Sequence, residues 1–262
     1  MTMVTVVFRF YAELNAFLAP PLRQRDFNRA CARDATAKHM IEALGVPHTE
    51  VGLVLVNGEP ADLAYRVRDG DRLGVYPHFR SLALAPAVDS GPARFVADAH
   101  VGQLARQLRM LGFDVLYRNS YSDAEVARMS AQQRRVVLTR DRDLLIRKDV
   151  VLGCYLHARS CEEQLCEVLW RYRLFPHVRP FSRCLECNGL LRSVDKPAIA
   201  DQVPPSSLLH YDIFLRCESC GRVYWEGSHV ARMRRRIEHL LRRCDPGNKN
   251  GSEDGGERKR AV

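Results

Sequence analysis

At 262 residues and 46% hydrophobic content, the chain has a globular composition and room for two or three small domains. Its formal charge of +9, from 40 Lys+Arg against 31 Asp+Glu, favours anionic partners, nucleic acid first. Nine cysteines, four of them in two CxxC pairs, argue against a secreted disulfide framework and for metal in a reducing compartment. No apolar run nears the roughly 18 residues of a membrane span and no basic leader opens the chain, so a cytoplasmic protein without membrane contact is expected.

The first strand falls in residues 3–11, where Val4, Val6, Phe8 and Phe10 alternate onto one face. A loose segment with Pro20 and Pro21 follows. Ala37, Ile41 and Leu44 then lie at helical spacing, closed by Gly45 and Pro47. Residues 51–56 read as a strand and Asn57-Gly58 as a tight turn. Residues 65–67 and 73–76 read as short strands around Asp69-Gly70-Asp71. This order suggests a ubiquitin-like β-grasp over residues 1–80. The stretch ALGVPHTEVGLVLVNGEPAD resembles the sulfur-carrier branch of that fold, whose members end in a reactive Gly-Gly. Here the segment ends YPHFRS and continues, and Gly255-Gly256 is followed by six residues. Either a binding or positioning role, with a protein partner on the β-grasp surface, or a small accessory domain without chemistry is expected rather than a carrier role. Residues 81–93, rich in Ala, Pro and Ser, read as a linker.

A second unit spans residues 94–180. Its strand, helix, strand, helix, strand order marks a parallel sheet. The apolar run 95–97 leads into Asp98. Val101, Leu104, Ala105, Leu108 and Leu111 share a helix face that stops at Gly112. A strand at 114–117, a helix from about Asp123 to Gln132 and a strand at 135–139 follow, and Asp141 comes next. Leu144, Leu145 and Ile146 begin a short helix, and residues 150–156 read as a fourth strand. Ser160 with Glu163 fits a capping box opening a helix with Leu165, Val168, Leu169 and Tyr172.

The third unit, residues 181–244, carries Cys184-x-x-Cys187 and Cys217-x-x-Cys220. Ser228 then caps a helix with Val230, Met233, Ile237, Leu240 and Leu241 on one side. Arg232, Arg234, Arg235, Arg236, Arg242 and Arg243 give that helix a basic surface able to face RNA or DNA, or simply solvent. Residues 245–262 read as a disordered tail.

Two sets of residues have metal-binding chemistry. The CxxC pairs offer four soft thiolates for a closed, structural Zn²⁺ site. Asn188-Gly189 and Gly221 supply the left-handed turns that such knuckles need. The other cysteines, Cys31, Cys154, Cys161, Cys166 and Cys244, read as small buried or incidental residues. The second set is Asp98, Asp123, Asp141 and, less firmly placed, Asp143. In a parallel sheet these acids fall beyond the carboxyl ends of the strands, where ligands bind. Carboxylates meeting there need a counter-charge, and Mg²⁺ or Mn²⁺ takes oxygen ligands. Such an ion orients a phosphodiester, activates a water and stabilises the leaving oxygen. Arg106, Arg109, Arg140 and Arg142 are candidate phosphate contacts. Each aspartate also stands just before a helix, where Asp is a favoured cap, and helix arginines commonly form a solvated face.

The stretches FVADAHVGQLARQLRMLGFD, SDAEV, RVVLTRDRDLL, SRCLECNG and FLRCESCGRVYWEGSH, in this order, resemble the Mut-seven C-terminal RNase domain. That family is a PIN-like nuclease with an attached zinc ribbon, often preceded by a ubiquitin-like domain. The resemblance implies an α+β and α/β multidomain chain: β-grasp, PIN-like parallel-sheet unit, zinc ribbon with helix. It implies metal-dependent cleavage of RNA and carries the acidic site onto Asp98, Asp123 and Asp141, without firmly covering Asp143. His100 departs from the apolar residue expected there. The rival readings are a non-catalytic RNA-binding module, in which the acids are helix caps, and a protein-interaction adaptor.

Overall fold

The computed structural model describes residues 3–78 and 92–244. The linker expected at 81–93 falls largely outside the described residues, and the tail expected at 245–262 wholly so. The Ser228 cap rests on a side chain also outside them.

The N-terminal unit is a five-stranded sheet: β1 (Met3–Phe10), β2 (Phe27–Ala32), β3 (Val51–Val56), β4 (Glu59–Ala61) and β5 (Arg72–Pro77), in the order β2-β1-β5-β3-β4. β1 and β5 run parallel at its centre and the other pairs are antiparallel. Val4, Val6, Phe8 and Phe10 point inward, as expected, onto helix α1 (Ala37–Ala43) and its core partners Met40, Ile41, Leu73 and Val75. Thr36 caps α1 by accepting from the His39 amide at 3.2 Å. Asn57 (φ 53°) and Gly58 (φ 93°) close the β3–β4 hairpin with two left-handed residues, which its twist requires.

Two expectations for this unit are corrected. The segment read as loose contains β2, an edge strand with only Cys31 buried, so its sequence carries no alternation. Residues 65–67 form no strand; Arg66 makes an isolated bridge to Thr36, and the Tyr65 hydroxyl donates to Asp71 at 3.1 Å.

The central unit is a four-stranded, wholly parallel sheet in the order β7-β6-β8-β9: β6 (Phe95–Ala97), β7 (Val115–Leu116), β8 (Val136–Thr139) and β9 (Gly153–Tyr155). Both faces are covered, as parallel sheets require. Phe95, Ala97, Val136 and Leu138 pack with α2 (Gly102–Met110) and α5 (Cys161–Arg171). Val96 and Val137 pack with α3 (Asp123–Gln133) and α4 (Arg142–Ile146). Gly112 (φ 96°) ends α2 where a Cβ would lie 2.2 Å from the Arg179 carbonyl oxygen, so both conformation and space demand glycine.

The third unit pairs β10 (Leu191–Ser193), β11 (Phe214–Cys217) and β12 (Val223–Trp225) antiparallel in that order. The insertion between the cysteine pairs folds into a short helix, α6 (Pro205–His210), over a small core of Ile199, Val203 and Phe214. The basic helix α7 (Ser228–Cys244) returns to the central unit, burying Ile237, Leu240 and Cys244 in the core beside α5. Cys166 and Cys244, expected to be incidental, form a disulfide between α5 and α7 with 4.9 Å between their Cα atoms. Their 78-residue separation hid the pairing from sequence. No helix among the described residues is long and apolar enough to cross a membrane.

Candidate active site and metal centre

From β6 the chain crosses to β7 on one side, and from β8 to β9 on the other. The strand order therefore reverses between β6 and β8, and the crevice beyond their carboxyl ends is a switch point. Asp98 directly follows β6, and Asp141 stands two residues beyond β8.

Asp98 is only 5% exposed, and no helix-capping bond engages its side chain. Its Oδ2 accepts instead from the Thr139 hydroxyl at 2.7 Å. The Thr139 Oγ1 in turn accepts from the Asp141 backbone amide at 2.8 Å. Thr139, fully buried at the end of β8, thus ties the two acidic positions to one atom. Sequence reading passed it over because a threonine ending a strand looks like an ordinary β-former. Asp141 does cap a helix, its Oδ1 accepting from the Asp143 amide at 2.8 Å, which leaves Oδ2 outside that bond.

The side chains of the other two acids are held differently. Asp123 is exposed in the first turn of α3, and Ser122 is the cap there, in a capping box with Glu125. Asp143 is exposed and pairs with its neighbour Arg142 at 3.2 Å. Among the described residues, the set of three or more His, Cys, Asp or Glu placed to hold a metal ion is the four-cysteine set, whose ligand atoms lie within 4.8 Å of one another. Asp98 and Asp141 are joined through Thr139, and among the described hydrogen bonds Asp123 has no such link to them.

The four arginines divide in the same way. Arg109 is 4% exposed and faces no solvent phosphate. Its Nε donates to the Val115 carbonyl at 2.9 Å, and its Nη1 donates to the Leu185 and Glu186 carbonyls at 3.1 and 2.8 Å. Burial lowers its pKa, against the opposing pull of nearby thiols and Glu186. Arg109 is therefore a bolt between α2 and the first cysteine knuckle, which corrects its expected phosphate role. Arg140 is exposed, and Arg106 and Arg142 keep exposed guanidinium groups while pairing with Glu186 and Asp143.

Cys184, Cys187, Cys217 and Cys220 form a compact cluster, with Cys184 Sγ 3.7 Å from Cys220 Sγ and Cys187 Sγ 3.3 Å from Cys217 Sγ. Asn188 (φ 71°) and Gly221 (φ 73°) take the left-handed conformation expected of the two knuckles. Burial raises the Cys184 thiol, but hydrogen bonds from the Tyr224 hydroxyl and the Cys187 and Glu186 amides bring it to about 7. Burial and the adjoining thiols push Cys187 up to about 12. Four thiols this close cannot all ionise without a cation among them, and four soft donors suit tetrahedral Zn²⁺.

Fold and site together define a protein with a β-grasp unit, a parallel-sheet unit bearing acids at its switch point, and a four-cysteine ribbon. The Mut7-C RNAse domain model matches residues 93–237, and the Mut7-C ubiquitin model matches residues 3–83. The chain belongs to the Mut7-C RNAse domain family. Three solved structures are similar to its β-grasp part. The crystal structure of the Haloferax volcanii small archaeal modifier protein 1 is 22% identical, covering 28% of this chain and 97% of that one, at a TM-score of 0.24. A second crystal structure of SAMP1 from Haloferax volcanii is 22% identical, covering 33% and 99%, at 0.24. The solution structure of the Haloferax volcanii HVO 2177 protein is 19% identical, covering 34% and 88%, at 0.24. No curated protein matches significantly.

Proposed function

We propose that the chain is a divalent-metal-dependent ribonuclease whose site is the crevice between β6 and β8. The observation that carries this reading is Asp98: a buried carboxylate at the switch point, held by one neutral hydroxyl and capping nothing. A buried carboxylate with so little compensation is costly, and a cation supplies what is lacking. Mg²⁺ or Mn²⁺ suits these hard oxygen donors, and one or two carboxylates suffice beside water and substrate phosphate. When bound, such an ion provides Lewis acidity and activation of water.

The protein's own residues set the geometry. Thr139 orients the Asp98 carboxylate through its hydroxyl and fixes the Asp141 backbone through its lone pairs. The Asp143 amide orients Asp141. Arg106, Arg140 and Arg142 offer bidentate contacts to phosphates. Asp123 and Asp143, both exposed, act on substrate or outer water rather than as direct ligands. The cysteine cluster holds a structural zinc ion that fixes the ribbon. The half-exposed β-grasp face with Val7, Leu53, Leu55 and Tyr76 supports a protein partner.

The test is Mn²⁺-dependent cleavage of unstructured RNA. Asp98→Asn is expected to abolish it, and Thr139→Val, which removes the orienting hydroxyl, to lower it about 10–100-fold. Cleavage at full rate by Asp98→Asn ends this reading. The exposed placement of Asp123 favours one alternative, a non-catalytic RNA-binding module; that alternative predicts RNA retention with no cleavage even by the unaltered chain.

A further inference from the structure

Helix α7 divides into two faces. Met233, Ile237, Leu240 and Cys244 turn toward the central unit and pack with its core. Arg232, Arg235, Arg236 and His239, at i, i+3, i+4 and i+7, form an exposed stripe on the other side, about 10 Å long. Arg234 pairs with Glu226, and Arg243 pairs with Glu162 at 2.5 Å. Among the described residues, no acid pairs with Arg232, Arg235 or Arg236. The stripe leads toward the edge of the central sheet that holds the acids. At that edge β9 ends, and α5 begins shortly after with Cys161. Burial raises the Cys161 thiol pKa and the Arg236 charge opposes it, so Arg236 stands by this first turn of α5. Exposed Arg159 lies between β9 and α5, and exposed Arg140 directly follows β8.

We propose that this stripe holds the phosphate backbone of an RNA strand, whatever its bases, beside the acidic crevice; the proposal rests on the nuclease reading. Three guanidinium groups without counter-charge on one surface favour a polyanion. Arg232 and the pair Arg235 and Arg236 stand one helical turn apart, about 5.4 Å, close to the step between successive phosphates of a strand. Each guanidinium offers a fork that fits a phosphate. An anionic membrane is a poor fit, because an interfacial helix needs a free apolar face and that of α7 is packed against the protein. An acidic polypeptide matches the charge of the stripe alone. An RNA strand also accounts for the arginines between the stripe and the crevice, Arg159 and Arg140.

The test measures binding of a labelled oligouridylate to the full-length Asp98→Asn chain, which does not cleave its probe, between about 50 and 200 mM salt. Each phosphate contact on a single strand adds about 0.7 to the slope of log affinity against log salt. The triple change Arg232→Ala/Arg235→Ala/Arg236→Ala is therefore expected to lower that slope by about two. An oligoadenylate should show the same loss, since no base is read. Replacing the same three residues by lysine keeps the charges and is expected to keep the slope. A slope unmoved by the alanine changes, while the unaltered chain cleaves RNA, overturns this proposal alone. A slope lost equally with lysine shows a disturbed helix rather than a missing charge and also overturns it. Polyglutamate that displaces the probe as well as unlabelled RNA of equal charge overturns the choice of RNA and gives the stripe to an acidic protein. A chain that neither binds nor cleaves RNA overturns the nuclease reading and this proposal together. Binding that loses slope as expected, in a chain that never cleaves, supports the stripe and ends the nuclease reading.

Discussion

The central sheet has two open edges, and a flanking unit covers each with one side-chain acceptor. At β7 the Asn188 side-chain oxygen accepts from the Val115 amide at 2.9 Å. At β9 a Glu50 carboxylate oxygen accepts from the Tyr155 amide at 2.8 Å. The supports behind these acceptors differ. Asn188 is neutral, and its amide nitrogen donates to Asp114, which pairs with Arg135 at 2.7 Å and Arg183 at 3.6 Å. Glu50 is itself the charge, nearly buried, and pairs with Arg171 at 2.7 Å. Burial alone would lower the Arg171 pKa, but Glu50 holds it well above the usual value. The ribbon is thus joined by a neutral hydrogen bond inside a partly exposed network, and the β-grasp by a buried ion pair. An open strand edge invites foreign pairing, and this fold closes both edges with polar side chains rather than further strands.

The sharpest way to break this comparison is at Glu50. Glu50→Ala removes the acceptor of the Tyr155 amide and leaves Arg171 buried without its counter-charge. Losing one partner of a buried pair costs about 3–5 kcal/mol. Chemical denaturation should show a loss of that size, and the Glu50→Leu/Arg171→Met double variant should lose less. A Glu50→Ala chain as stable as its parent would mean that the pair does not hold the units together.

Asn188→Gly addresses the opposite edge. Glycine accepts the φ of 71°, so the change isolates the two side-chain hydrogen bonds from backbone strain. A buried donor left unsatisfied costs about 1–3 kcal/mol. The loss should be smaller than at Glu50, with bound zinc retained by metal analysis. Release of zinc would show that Asn188 shapes the knuckle more than it joins the sheet.

Asp114 gives the ribbon edge a pH dependence. Burial raises its pKa, but hydrogen bonds from Arg135 and Asn188 and the charges of Arg135 and Arg183 outweigh burial and depress it. A depressed carboxylate stabilises the fold above its unfolded pKa, and that contribution is lost as pH falls through the folded value. Stability should therefore decline below about pH 4, where a free aspartate begins to protonate. Asp114→Asn should flatten that limb of the stability profile. An unchanged limb would place the acid sensitivity elsewhere.

What sequence conveyed here followed from local periodicity and spacing. The inward face of β1, the turn at Asn57-Gly58, the α2 stripe and the cysteine knuckles each need only near neighbours to be recognised. What it withheld depended on distant partners. Glu50 and Arg171 are 121 residues apart, and alone each looks like a solvated charge. Arg109 lies one helical turn from Arg106, yet one is buried under carbonyls and the other reaches solvent. The acidic crevice was half legible. Topology placed Asp98 and Asp141 at strand ends, but the bond from Thr139 that ties them spans 41 residues, and Ser122 rather than Asp123 caps α3.

The Arg106 and Arg109 contrast supplies the smallest predicted effect. Arg106 is 63% exposed and 3.3 Å from Glu186, and exposed pairs contribute about 0–1 kcal/mol. Arg106→Ala should leave stability within about 1 kcal/mol of the parent. If that guanidinium also meets RNA, the change should weaken binding uniformly across sequences and reduce the salt slope by about one. Arg109→Ala should act in the reverse sense, because its carbonyl partners at Val115, Leu185 and Glu186 lose a buried donor. Its cost should appear in denaturation, with the salt slope unmoved. If Arg106→Ala proves as destabilising as Arg109→Ala, then α2 does not separate a solvent-facing arginine from a structural one, and the assignment of its outer turn to RNA contact fails with it.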